Sequence, residues 1–120
     1  MNITTRAQDF EMSQAIDQFV RDQIRAALSR LSEDIIAVDV FMKDSNGPKG
    51  GIDKQALIRV RLRNRHVVAL ETEHENLYAA VRKGVKRTKR AIQRHLRKSQ
   101  RIQKQRMREY LDDTGVSAAT

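Results

Sequence analysis

Residues 56 to 63 alternate without a break: Ala56, Ile58, Val60 and Leu62 fall on one side, and Leu57, Arg59, Arg61 and Arg63 on the other. Only an extended strand sorts these two sets, because its side chains point to opposite faces with period two. One face is then buried and the other wet, the habit of an antiparallel sheet covered on a single side. Partners for this strand stand on both sides of it. Ile35-Ile36-Ala37-Val38-Asp39-Val40-Phe41-Met42 predicts a strand with Ile36, Val38, Val40 and Met42 on one face. Val68, Leu70 and Thr72 alternate with Ala69, Glu71 and Glu73, and Asn64-Arg65 turns the chain between them and the central strand. Asn2-Ile3-Thr4-Thr5-Arg6 is short and β-branched, a fourth strand. Asp44 to Gly51 holds the only Pro and three of the five Gly, so a long hairpin loop is expected there.

The cover for the sheet comes from two segments of a different period. Ile16, Phe19, Val20, Ile24, Ala27, Leu28 and Leu31 recur at three and four, and Ser13 is placed to cap, which predicts a helix over residues 13–31. A second helix begins near Asn76, with Glu73 and Glu75 beside its positive end. Its apolar stripe is Leu77, Val81, Val85, Thr88, Ile92 and Leu96. At 100° per residue, Lys83, Lys86, Arg90, Arg94, Arg97 and Arg101 lie almost opposite that stripe. The order β-α-β-β-β-α defines an α+β domain, a four-stranded, mainly antiparallel sheet with two helices on one face.

Charge then gives this scaffold a direction. The 120 residues carry 24 Lys+Arg against 15 Asp+Glu, a net +9. Arg82 to Arg108 holds 13 of the cations and no acid, so the rest of the chain is slightly acidic, at −4. A helix face exposed only to solvent usually mixes signs, because i,i+4 pairs of opposite charge stabilise it and like charges repel. Twenty-seven positions without an anion point to a polyanion. From Lys83 to Arg101 the cations span about 27 Å at the α-helical rise. Arg59, Arg61 and Arg63 read differently, since Asp39, Glu71 and Glu73 on neighbouring strands are placed to pair with them.

Other chemistries lack their residues. There is no Cys, hence no disulfide, thiolate or Cys-rich zinc site. His66, His74 and His95 form no metal-ligand or nucleophile-and-base spacing, and His95 reads as a packed or half-exposed side chain. Gly47, Gly50 and Gly51 lack the Lys-Ser/Thr of a P-loop. No cofactor, metal, catalysis or small-molecule substrate is expected. Met1 to Phe10 shows no basic region followed by an apolar stretch, and no apolar run approaches a membrane span, so a cytoplasmic protein with no membrane partner is expected. Five aromatics, three of them on or beside apolar stripes, make a poor base-stacking platform, which favours recognition of shape and phosphate in structured nucleic acid.

Several segments also resemble a known family. Met1-Asn2-Ile3-Thr4, Ser13-Gln14-Ala15-Ile16, Ile35-Ile36-Ala37-Val38-Asp39-Val40 and above all His74-Glu75-Asn76-Leu77-Tyr78-Ala79-Ala80-Val81, followed by cations, are similar to the ribosome hibernation-promoting factor and ribosome-associated inhibitor family, also described as sigma-54 modulation proteins, in its short form. The resemblance covers about residues 1–100, and Asn46 to Lys54 looks like the longer hairpin of a subgroup. It implies a domain laid out like double-stranded-RNA-binding domains. The resemblance further implies that this domain binds the small ribosomal subunit between head and body, contacts 16S rRNA and occupies the mRNA and tRNA path at the A and P sites. Within the family's second-helix pattern, Arg87, Arg90 and Arg94 fall where members carry Lys or Arg, which implies rRNA contacts. The pattern differs at Gln23 and Ala26, where basic residues stand in relatives and Arg21 and Arg25 lie nearby. It differs again at positions 82, 83, 86 and 89, often acidic or neutral in relatives and all basic here. The separate C-terminal dimerisation domain of long members is not expected.

Residues and resemblance together predict a ribosome-binding domain over 1–102, followed by a basic helical extension and polar tail over 103–120. The rRNA-binding set is Lys83, Lys86, Arg87, Arg90, Arg94, Arg97 and Arg101, with Arg21, Arg25, Lys89 and Lys98 as possible additions. The expected protein inhibits translation and is monomeric off the ribosome. A general binder of structured nucleic acid and a regulator docking on an acidic protein use the same charge pattern and stay open as alternatives.

Overall fold

The computed structural model describes residues 1–44 and 53–113; the expected Gly-rich hairpin loop and the polar end of the tail lie outside the described residues. Strand β1 (Asn2–Gln8) leads to helix α1 (Gln14–Leu28), a 3-10 turn (Ser29–Asp34) and strand β2 (Ile35–Asp44). Strands β3 (Lys54–Leu62) and β4 (Val67–His74) precede helix α2 (Leu77–Asp113). The sheet runs in the order β1-β2-β3-β4, with β1 parallel to β2 and the other pairs antiparallel. The only parallel pair is the one connected through a helix, as a parallel crossover requires. The chain groups into two compact units, Met1–Arg90 and Ala91–Thr120, so that α2 begins in the first and continues in the second.

The register explains the core of the first unit. Ile3, Val38, Val60 and Val68 stand side by side across the strands, as do Thr5, Val40, Ile58 and Leu70, and Ala7, Met42, Ala56 and Thr72. Val38, Val40, Met42, Ala56, Ile58 and Val60 are buried, together with Val20, Ile24 and Leu28 of α1 and Ala80, Val81 and Val85 of α2. The helices therefore cover one face of the sheet. Phe19 of α1 meets Tyr78 of α2 edge-on, with ring centroids 4.7 Å apart, which joins the two helices over the core. The Thr72 hydroxyl donates to the Ala80 carbonyl at 2.8 Å, so a buried polar group ties β4 to the first turn of α2.

Gly84 shows how close that helix comes. A Cβ there would lie 3.0 Å from Ile58 Cδ1 and 3.0 Å from Thr72 Oγ1. Even a methyl group here would make its neighbours give by a few tenths of an ångström, and glycine is accepted in a helix interior at a propensity cost of about 1 kcal/mol.

Local chemistry sets the element ends. Ser13 Oγ accepts from the Ile16 amide at 3.1 Å, the N-cap expected from the sequence. Asn76 Oδ1 accepts from the Tyr78 and Ala79 amides at 2.9 and 3.3 Å and caps α2 in the same way. The β3–β4 turn closes through Leu62, which donates to His66 and accepts from Arg65, and Arg65 takes the positive φ of 72° that a tight turn demands. Lys54 reaches Asp44 at 2.7 Å and Asp53 at 3.2 Å, binding the inner ends of β2 and β3.

Three expectations need correction. The first helix does not run to Leu31: its α-helical part stops at Leu28, and the chain tightens into the 3-10 turn before β2. Ile36 does not share the buried face with Val38, Val40 and Met42. The ladder slips between Ile35 and Ala37, so Ile35 is fully buried while Ile36 is 44% exposed. Arg59 stands opposite Asp39 in register, yet no ion pair joins Arg59 or Arg61 to any described residue, and Arg63 donates instead to the Glu33 carbonyl at 2.6 Å.

One network in α1 makes stability depend on pH. Asp17 accepts from the Thr5 hydroxyl and from Arg21 Nε, and Arg21 also donates to the Ile3 carbonyl at 3.0 Å. The Thr5 hydrogen bond, against the opposing effect of partial burial and with help from Arg21, holds the Asp17 carboxyl below its ordinary value. A depressed carboxylate contributes stability above its unfolded pKa and loses it as pH falls through the folded one. Asp17→Asn is therefore expected to cost about 1 kcal/mol at neutral pH, the range of one exposed ion pair with a hydrogen bond. The gap between variant and wild type is expected to close in strong acid, as read from urea midpoints at the two pH values. An equal gap at both would show that the carboxylate charge does no stabilising there.

Candidate nucleic-acid interface

Over the first unit, helix α2 presents its cations because its other side is committed to the core. Within the first unit, Ala80, Val81, Gly84, Val85 and Thr88 are buried. The intervening Lys83, Lys86, Arg87 and Arg90 are exposed, and Lys89 is half-buried. In the second unit Ile92 is buried and Leu96 half-buried, while Arg94, Arg97, Lys98 and Arg101 are exposed. The helix brings the seven expected site residues onto solvent as the periodicity requires, four in one unit and three in the other. None of the seven forms an ion pair with a described residue; Arg97 Nε donates to the Gln93 carbonyl at 3.3 Å on its own helix. Within each unit these groups are exposed on one face of the helix, with no acidic partner among the described residues.

The remaining basic residues differ in their commitments. Arg82 leans over the Phe19 ring, its guanidinium carbon 5.9 Å from the centroid, and so helps hold α2 to α1. The sequence gives no hint of this, since the two residues are 63 positions apart. Arg21 is held by Asp17 and the Ile3 carbonyl, whereas Arg25 has only a long contact to Asp22 at 3.9 Å. Lys98 is exposed on the second unit.

Among the described residues, no three His, Asp or Glu side chains are grouped to hold a metal ion. A shallow depression of about 390 Å³ lies on the open face of the sheet, against Arg6, Gln8, Phe41, Lys43 and Leu57. His74 is occupied locally, its Nδ1 accepting from the Asn76 amide at 3.0 Å. No described helix is long and apolar enough to cross a membrane.

The chain is thus a small α+β domain whose second helix carries an exposed set of cations with no ion-pair partner among the described residues. Residues 3–100 match the family described as sigma 54 modulation protein / S30EA ribosomal protein, and the chain belongs to that family. Among solved structures it is similar to the N-terminal domain of Thermus thermophilus Protein Y, with 25% identity and a TM-score of 0.66 over 79% of this chain and 99% of that one. A ribosomal subunit interface protein from Coxiella burnetii shares the fold at 15% identity, also with a TM-score of 0.66, over 79% of this chain and 97% of that one. No curated protein sequence matches the chain.

Proposed function

We propose that this protein is a non-enzymatic, cytoplasmic hibernation factor that binds the small ribosomal subunit and blocks translation. It sits in the mRNA and tRNA channel at the A and P sites, through contacts of Lys83, Lys86, Arg87, Arg90, Arg94, Arg97 and Arg101 with 16S rRNA phosphates. The observation that carries this reading is the unpaired cation set on α2 of a domain belonging to a ribosomal-protein family. The cations displace condensed counterions from rRNA, and the folded body then excludes tRNA and mRNA by its volume.

Counterion release makes the proposal quantitative. Seven phosphate contacts at about 0.7 to 0.9 ions each give a log–log salt slope near −5 to −6, so affinity falls about 1,000-fold or more between 50 and 200 mM salt. Sucrose-gradient sedimentation at both salts measures this. Protein remaining at the top of the gradient at 50 mM rejects the reading, and equal affinity for random duplex DNA and for small subunits selects a general nucleic-acid binder instead.

A further inference from the structure

We propose that the second unit carries the RNA-backbone contact past the end of the family domain, through Lys104 and Arg108, which continue the line of Arg94, Arg97 and Arg101 as one ridge along a single strand. This rests on the ribosome-binding reading above and extends it by these two residues. The spacing of the ridge is 3, 4, 3, 4, so successive side chains lie one above another on a single helix face. All five are exposed, no acid stands between them, and none is ion-paired with a described residue. The first acid after the ridge, Glu109, accepts instead from Gln105 at 3.4 Å.

Geometry favours a phosphate strand as the occupant. Fourteen residues at the α-helical rise place the five charges along about 21 Å. A duplex strand spaces its phosphates by roughly 3 Å along the axis, closer than the cations stand to one another, so each cation can meet a phosphate. The opposite side of the same helix is poorly suited to lipid. Ile102, Met107 and Tyr110 are exposed there, but Ser99, Gln103 and Arg106 interrupt them and no continuous apolar face forms. The family match ends at residue 100, so Lys104 and Arg108 add a contact that the shared domain does not contain.

The test is the double variant Lys104→Gln, Arg108→Gln in the full chain, measured for small-subunit affinity across 50 to 200 mM salt. Glutamine keeps high helix propensity, so circular dichroism is expected to match wild type. Losing two contacts makes the salt slope less negative by about 1.4 to 1.8, so wild type loses about tenfold more affinity than the variant over that range. Lys104→Arg is expected to retain the wild-type slope, and inhibition at saturating protein is expected to be unchanged in both. An unchanged slope in the double variant overturns the ridge while leaving ribosome binding intact. Wild type that fails to bind subunits at 50 mM overturns both. Binding to phosphatidylglycerol vesicles that the double variant loses, with its subunit slope unchanged, assigns the ridge to lipid and overturns it as well.

Discussion

Replacing Arg87, Arg90 and Arg94 together with Glu is expected to lower small-subunit affinity by at least about 1,000-fold and to abolish inhibition of in vitro translation at concentrations where wild type is saturating. Each charge-assisted contact is worth about 1.5 to 3 kcal/mol, so three losses alone reach about 4.5 kcal/mol, or roughly three decades. The introduced carboxylates add repulsion from phosphate. All three side chains are exposed and unpaired, so the fold does not depend on them. Glutamates among the remaining lysines and arginines also create favourable i,i+4 pairs, and the helix is expected to survive. Co-sedimentation and circular dichroism measured together separate the outcomes. A folded variant that still sediments with the subunit would place the binding surface elsewhere.

The largest effect on stability is expected at Gly84. Valine there pushes a branched side chain into the position where a Cβ already meets Ile58 and Thr72 at 3.0 Å. Overpacking of this kind costs about 1 to 3 kcal/mol, and the Thr72 hydrogen bond to Ala80, worth about another 1 kcal/mol, is strained by the same displacement. A net loss of about 2 to 3 kcal/mol follows, after the small gain in helix propensity over glycine. Gly84→Ala gains about 1 kcal/mol of propensity against a smaller clash, and is expected to lie within about 1 kcal/mol of wild type. Urea unfolding of both variants measures the contrast. A valine variant as stable as wild type would show that α2 can lift from β3 and β4 without cost.

These two sites also mark how far the sequence can be read. The cation face is legible because it is local: periodicity on one helix orders Lys83 to Arg101 opposite Val81, Val85 and Ile92, and the structure exposes the one set and buries the other. The caps at Ser13 and Asn76 are legible for the same reason, each acting within three residues. Gly84 is not, because what excludes a side chain there comes from Ile58 and Thr72 on two other elements. Ile36 misleads because a bulge breaks the period-two facing between Ile35 and Ala37. The seat of Arg82 over Phe19 depends on how two helices lie side by side, which neither segment encodes alone.

The strand order gives the chain a schedule for its own synthesis. Each strand hydrogen-bonds to the next one made, so the sheet can assemble as the chain lengthens, with pairings of modest sequence separation. Its covering remains incomplete until Ala80, Val81 and Val85 have been added, and those residues belong to the same helix as the cations. A chain cut short before α2 therefore lacks both a closed core and an exposed cation face, because one helix supplies the two.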